Sequence, residues 1–160
     1  MRNEAWSAET ALGMRTVTLI TACLAALALA SPLSAAPSSR LAAATITVHD
    51  SRYGRILFDG RGFVLYGFTR DRRGHSSCSG GCAKSWPPYL AKLPVKAGAG
   101  AKRSLIGTTK RRDGSRQVTY AGHPLYFYVG DRKPRQILCQ NVSEFGGLWL
   151  VARPTGRLVR

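Results

Sequence analysis

The chain has 160 residues, which is the size of one domain and argues against a multidomain protein. Its 24 Lys and Arg residues outnumber its 8 Asp and Glu residues, so the formal net charge is +16 at neutral pH. A surface of this sign favours anionic partners, although it would also keep an exported protein soluble.

The first 36 residues are typical of a secretory signal peptide. Residues 17–30 form an unbroken uncharged, mostly apolar run that follows Arg15 and precedes the small-residue stretch 31–36. The run is shorter than the ~20 apolar residues of a membrane span, so we expect no transmembrane span in the mature chain. Residues 1–36 are therefore predicted to direct export to the periplasm, the cell envelope or the medium.

The processing of this segment has alternatives. Cleavage after Ala30 and cleavage after Ala35 both fit the small residues that precede the scissile bond. The apolar run lies far from Met1, so a translation start at Met14 is a second possibility. Residues 20–23 also resemble a lipobox, which would make Cys23 a lipid attachment site, but cleavage there would leave a short apolar region.

The pattern becomes β after a linker over residues 37–44. Alternation over 45–48 and apolar runs over 55–58 and 63–68 predict three strands, and Asp59-Gly60 between the last two predicts a hairpin. The same order returns later in the chain. Residues 105–109, 117–120 and 124–128 are predicted strands, with turns at Asp113-Gly114 and Ala121-Gly122.

A motif that occurs twice indicates that these two stretches are repeats. Both copies read Tyr-x-aromatic-x-x-Asp and lie 60 residues apart: Tyr66, Phe68 and Asp71, then Tyr126, Tyr128 and Asp131. Each stretch also ends near a tryptophan, Trp86 or Trp149. We therefore predict a small all-β domain of about seven strands over 45–153, built from two pseudo-symmetric repeats (45–93 and 105–151), with residues 94–104 as connector and residues 154–160 as a basic tail.

The motif residues are predicted to build the fold. In a strand, residues two apart share a face, so Tyr66 with Phe68 and Tyr126 with Tyr128 would pair in a core shared with both tryptophans. The Asp that follows can accept backbone N–H groups of the next turn. The functional alternative is a pair of equivalent pockets in which Asp71 and Asp131 coordinate a cation or hold a ligand hydroxyl.

Cysteine usage fits export. The mature chain keeps Cys78, Cys82 and Cys139, and an odd number allows at most one internal bridge. The flexible Ser-Gly-Gly between Cys78 and Cys82 favours a disulfide there, with Cys139 free or buried. Pairing of Cys139 with one of the others is the alternative.

One cluster resembles a metal site. His75, Cys78 and Cys82 offer nitrogen and sulfur ligands, and His123 could supply a fourth from the other repeat. The Cys-x3-Cys spacing is not that of a usual zinc knuckle, and the chain has no Cys-x-x-Cys-His haem attachment motif. We therefore expect no cofactor and keep a periplasmic redox protein, or a metal- or haem-binding protein, as the alternative function.

Four segments of the chain, residues 54–71, 76–88, 111–131 and 145–151, carry a resemblance to a known family. Together they resemble the bacterial secreted repeat family of unknown function, also described as predicted lipoproteins with a Tyr-x-aromatic-x-x-Asp motif. The resemblance implies a secreted or envelope-attached β-rich repeat protein without an established reaction. The chain departs from the family pattern at Cys139.

Catalytic motifs are lacking. The sequence has no Gly-x-Ser-x-Gly elbow, no His-Glu-x-x-His pair and no Gly-rich phosphate loop. We therefore expect a non-enzymatic module with no catalytic residues. Its expected partners are anionic envelope polymers or lipid head groups, because an exported protein does not normally meet chromosomal DNA and no specific nucleic acid is predicted.

Overall fold

The computed structural model describes residues 44–91 and 94–160. The described residues belong to a single unit of the chain. The predicted signal peptide, its alternative start and cleavage sites, Cys23 and residues 37–43 of the predicted linker lie outside the described residues.

The described residues form nine strands in three small sheets. The first sheet has the order β2-β1-β4, with β1 Thr45–His49, β2 Ile56–Asp59 and β4 Lys96–Ala97. The second has the order β3-β9-β8, with β3 Tyr66–Phe68, β8 Val142–Glu144 and β9 Gly147–Val151. The third has the order β5-β6-β7, with β5 Ile106–Lys110, β6 Arg116–Tyr120 and β7 His123–Pro124.

The all-β prediction is confirmed, with two strands more than the seven expected. Helical structure in the described part of the chain is limited to α1, Gly81–Ser85, and a 3₁₀ turn, Arg103–Leu105. No helix in that part is long and apolar enough to cross a membrane. The added strands include β4, which lies in the predicted connector and pairs in parallel with β1.

The predicted turns are formed by the residues that indicated them. The Asp59 carboxylate accepts the N–H groups of Arg61 and Phe63, both at 2.9 Å, and so closes the first hairpin. Ala121 and Gly122 both have positive φ, +49° and +81°, which gives the two-residue turn between β6 and β7 the twist that neighbouring strands require.

The two repeats pair through their motif strands. The N–H of Tyr66 donates to the carbonyl of Tyr126, and the N–H of Tyr126 donates to the carbonyl of Tyr66, both at 2.9 Å. Tyr66 also faces Val151 in β9, whereas Tyr126 bridges Pro88. Each motif strand therefore pairs with the segment at the tryptophan of the other repeat, so one repeat cannot complete its sheet without the other.

The motif strands separate two apolar clusters. One face carries Tyr66 and Tyr126 into a cluster with Trp86 and Trp149, and all four side chains are fully buried. The other face belongs to a second cluster, which contains Leu65 and Leu125 together with Ile46, Val48, Leu57 and Val118. Since both faces of these strands are buried, they read as continuous apolar runs.

Residues 154–160, expected as a basic tail, fold back onto the domain. The N–H of Val159 donates to the carbonyl of Val151 at 2.9 Å, and Leu158 bridges Ala152. Val159 is buried in the same cluster as the tryptophans. Apolar Leu158 and Val159 hold this segment against β9, and its arginines stay at the surface.

Candidate functional site

The motif tyrosine of each repeat binds the motif aspartate of the other repeat. The hydroxyl of Tyr66 donates to Oδ2 of Asp131 at 2.8 Å, and the hydroxyl of Tyr126 donates to Oδ2 of Asp71 at 2.7 Å. Burial raises the pKa of all four groups above their ordinary values. For the two carboxyls, the hydrogen bonds from the tyrosines oppose this rise in pKa but do not cancel it. The two pairs link the repeats across their shared strand pairing.

The second oxygen of each motif carboxylate closes the loop that follows. Oδ1 of Asp71 accepts the backbone N–H and the hydroxyl of Ser77, both at 2.7 Å. Oδ1 of Asp131 accepts the backbone N–H of Leu138 at 3.0 Å. Because both carboxylates are engaged on both oxygens, the contacts fit a role in building the loops better than coordination of a cation.

The remaining motif aromatics and both tryptophans form one column of rings. Trp86 stacks on Trp149 with ring centroids 3.9 Å apart and planes 3° apart. Phe68 stacks on the outer face of Trp149 at 4.1 Å, and Tyr128 contacts Trp86 at 4.8 Å. Each tryptophan is therefore covered by the aromatic residue of the other repeat's motif, which explains why the motif requires an aromatic side chain at this position.

The two tryptophans of the column differ in the hydrogen bonding of their indole N–H groups. Nε1 of Trp86 donates to Oε2 of Glu144 at 2.8 Å, whereas the buried Nε1 of Trp149 has no hydrogen-bond partner among the described residues. Cys78 and Cys82 belong to the same buried apolar cluster as Trp86 and Trp149.

Cys78 and Cys82 form a disulfide with a Cα–Cα distance of 5.3 Å. Both are buried, whereas Cys139 is a half-buried free thiol whose pKa is raised by burial. The bridge between Cys78 and Cys82 is thus confirmed. It encloses the start of α1 and fixes the return of the chain towards Trp86.

The alternative metal ligands are not brought together. The disulfide occupies the sulfur atoms of Cys78 and Cys82, and His75 lies exposed with Nδ1 3.1 Å from the carbonyl oxygen of Arg73. His123 lines a separate cleft. Across residues 44–91 and 94–160, no group of three or more His, Cys, Asp and Glu side chains is arranged to hold a metal ion.

That cleft, here the arginine cleft, has a volume of about 1030 Å³. One wall comes from Arg73 and from the β6–β7 turn with His123, and the other comes from the C-terminal segment. Its cationic lining consists of Arg73, Arg153, Arg157 and Arg160, and its floor includes Phe68, Leu150 and Val159.

Close backbone approaches bring these walls together. Arg73 donates through Nη1 to the carbonyl of Ala121, and a Cβ at Gly122 would lie only 3.3 Å from Cβ of Arg73. At Gly156, where φ is +85°, a Cβ would overlap the side chain of Ala121. The C-terminal turn can therefore reach the β6–β7 turn only with glycine at position 156.

The arginine cleft is strongly cationic. None of its four guanidinium groups forms a salt bridge within the described residues, and Arg73, Arg157 and Arg160 are exposed. Its lining contains one acidic side chain, Asp71, which is engaged by Tyr126 and Ser77. Burial, and next the positive charge of Arg73, lower the pKa of His123 below its ordinary value of 6.5, against the weaker opposing effect of Asp71.

The sequence did not indicate this cleft. Arg153, Arg157 and Arg160 read as dispersed charge in a tail, because nothing in their spacing shows that Leu158 and Val159 turn the chain back. The available signal was the Pro154-Thr155-Gly156 turn between two apolar segments.

Comparison with known proteins gives one family. A family model described as a secreted repeat of unknown function matches residues 47–89 and 107–153. The matched segments correspond to the two repeats that pair through Tyr66 and Tyr126. No curated protein and no solved structure matches the chain.

Proposed function

Since the chain belongs to a family of secreted repeats of unknown function, we propose that it is a non-enzymatic exported module that binds anionic envelope polymers in the arginine cleft. The observation that carries this proposal is the convergence of Arg73, Arg153, Arg157 and Arg160 on one cleft of about 1030 Å³. Guanidinium groups bind phosphate and carboxylate through paired N–H donors, so several on one cleft suit a polyanion.

Export belongs to the same proposal. The predicted signal peptide over residues 1–36 would direct the protein to a compartment where phosphate-rich and acidic polymers are abundant, and the Cys78–Cys82 disulfide suits an oxidising compartment. A lipid anchor at Cys23 would retain the same module at the membrane. The arginine cleft would be the binding site in both the secreted and the lipid-anchored form.

The contacts of the motif support a structural role for its carboxylates. Asp71 and Asp131 are each engaged by a tyrosine and by a loop N–H. Apart from Asp71, the ionisable side chains that line the cleft are the four arginines and His123. Binding by charge and shape therefore explains the cleft with fewer assumptions than acid–base catalysis. The metal- or haem-binding alternative loses support because its two sulfur ligands, Cys78 and Cys82, form the disulfide.

Calorimetric titration of the exported, processed protein with inorganic polyphosphate tests the proposal. The variant Arg153→Gln/Arg157→Gln/Arg160→Gln is expected to bind at least about tenfold more weakly, since three guanidinium groups leave the cleft. Affinity should also fall as salt is raised, because ions screen the attraction.

A matched variant separates the cleft from diffuse charge. Lys84→Gln/Lys96→Gln/Lys110→Gln removes three exposed cations that do not line the cleft. Its affinity should stay within about threefold of wild type, since isolated exposed charges contribute little. Equal losses in both triple variants would show that binding follows net charge, and the cleft would not be the site.

A further inference from the structure

The loop that follows the second motif exposes apolar and cationic side chains together. Residues 129–138, here the basic loop, carry Val129 and Leu138, which are 52% and 55% exposed. No large apolar side chain in the described residues is more exposed than these two. Between them, Arg132, Lys133 and Arg135 are also exposed.

Hydrogen bonds hold the basic loop in one shape. Asp131 accepts the N–H of Leu138 at 3.0 Å, so the end of the loop returns to Asp131, which stands two residues after Val129 in the sequence. The N–H of Arg132 donates to Oε1 of Gln136 at 2.7 Å, and the N–H of Arg135 donates to the carbonyl of Gly62 at 2.8 Å. The exposed side chains are therefore displayed on a fixed backbone.

The first repeat shows that the fold does not require apolar side chains here. Thr69 stands three residues after Tyr66, as Val129 stands three residues after Tyr126. Ser77 donates its N–H to Asp71 as Leu138 donates its N–H to Asp131. Thr69 and Ser77 are polar and exposed, yet their loop closes in the same way. Closure of this loop therefore does not require the apolar side chains of Val129 and Leu138.

The surroundings of the basic loop are cationic. Within residues 129–138 the acidic residue is Asp131, which is buried, and both oxygens of its carboxylate accept hydrogen bonds. A neighbouring pocket of about 340 Å³ is lined by Asp50 together with Arg52, Arg135 and Leu138. One exposed carboxylate thus faces a surface to which Arg52, Arg132, Lys133 and Arg135 contribute positive charge.

We propose that the basic loop docks on an anionic lipid bilayer, with Val129 and Leu138 entering the head-group region and the three loop cations contacting lipid phosphates. Apolar side chains set among cations are the combination that binds anionic interfaces, because each contribution alone is weak. This surface is separate from the arginine cleft, since none of residues 129–138 lines it. The inference goes beyond the proposed function and stands without it.

Cosedimentation of the exported, processed protein with vesicles tests this surface. Vesicles of phosphatidylcholine with about one third phosphatidylglycerol should bind the wild type, whereas pure phosphatidylcholine vesicles should not. Val129→Thr/Leu138→Ser installs the polar residue types of the first repeat and should weaken binding about tenfold. Leu90→Thr removes another exposed apolar side chain, 46% exposed and outside the loop, and should change nothing.

Several results would overturn the inference. It is wrong if Val129→Thr/Leu138→Ser binds the vesicles like wild type, or if Leu90→Thr weakens binding equally. It is also wrong if the double substitution converts a dimer to a monomer in sedimentation velocity, because a second copy would then cover the loop. An unchanged midpoint of thermal unfolding in the double variant excludes misfolding as the cause of any loss.

Measuring both variants in both assays distinguishes the basic loop from the arginine cleft. The double loop variant should keep wild-type affinity for polyphosphate, and the triple arginine variant of the cleft should keep most of its vesicle binding. Vesicle binding that is lost only in the cleft variant refutes loop docking. Polyphosphate binding that survives in the cleft variant refutes the proposed function alone.

Discussion

The hydroxyl of Tyr126 donates a hydrogen bond to Asp71 at 2.7 Å, although the two residues belong to different repeats. The reciprocal pair, Tyr66 and Asp131, is linked at 2.8 Å. The motif is therefore satisfied only when two repeats meet, which gives a physical reason for its occurring twice in one chain.

A double-mutant cycle should detect this exchange. Tyr126→Phe leaves Oδ2 of Asp71 without its tyrosine donor and should cost about 1–3 kcal/mol of unfolding free energy. Combined with Asp71→Asn, it should show a coupling of about 0.5–3 kcal/mol, whereas with Asp131→Asn, in its own repeat, the coupling should stay below about 0.5 kcal/mol. Urea unfolding measures all variants, and a larger coupling within the repeat would contradict the exchange.

The motif carboxyls should also set part of the pH dependence of stability. Burial raises the pKa of Asp131 above its ordinary value of 3.8, so between these two values the folded state binds more protons than the unfolded state. The contribution of Asp131 to stability therefore falls as pH rises through that window. Asp131→Asn, which does not titrate, should gain stability relative to wild type from pH 3.5 to 7. Urea midpoints at each pH would contradict this if the difference stayed constant or reversed.

The local structure followed from the sequence, and the exchange between repeats did not. Asp59-Gly60 and Ala121-Gly122 identified hairpins because their turn geometry is encoded in neighbouring residues. The pairing of Tyr126 with Pro88 and of Tyr66 with Val151 depends on how two similar units meet in space. From the sequence alone, the motif strand of each repeat could equally have paired with the segment at the tryptophan of the same repeat.

The candidate cleft was missed for a similar reason. Its walls, Arg73 and Arg153 to Arg160, are about 80 residues apart in the chain and meet through Gly122, Ala121 and Gly156. The disulfide was predictable because Cys78 and Cys82 lie four residues apart with flexible residues between them. Contacts within a loop can be read from the sequence, whereas contacts between distant loops require the fold.

Glu144 should stabilise the tryptophan column. Its Oε2 accepts the indole N–H of Trp86 at 2.8 Å, so Glu144→Ala would leave that buried donor without a partner and cost about 1–3 kcal/mol. Glu144→Gln keeps an acceptor and should cost less. Tryptophan fluorescence during urea unfolding provides the measurement. A Glu144→Ala protein as stable as wild type would show that Trp86 finds another acceptor.

Removal of the disulfide should loosen one segment and preserve the fold. Cys78→Ala/Cys82→Ala opens a loop of four-residue separation and should cost about 1–2 kcal/mol, the low end for a bridge. Hydrogen exchange should accelerate in residues 72–88 and stay unchanged in β5 and β6. The Cys139→Ala variant, which removes the free thiol, is the control for substituting a cysteine. Acceleration throughout the domain would mean that the bridge supports the whole core.

Polyanion binding in the arginine cleft should tighten as pH falls through the titration of His123. Burial and Arg73 hold its pKa below 6.5 in the free protein, and a bound anion would raise it, so binding takes up a proton. Affinity for polyphosphate should therefore rise between pH 7.5 and about 5.5. His123→Gln should flatten this dependence, whereas His49→Gln, outside the cleft, should keep it. An unchanged profile in His123→Gln would place the anion away from His123, because a neighbouring charge must shift the imidazole.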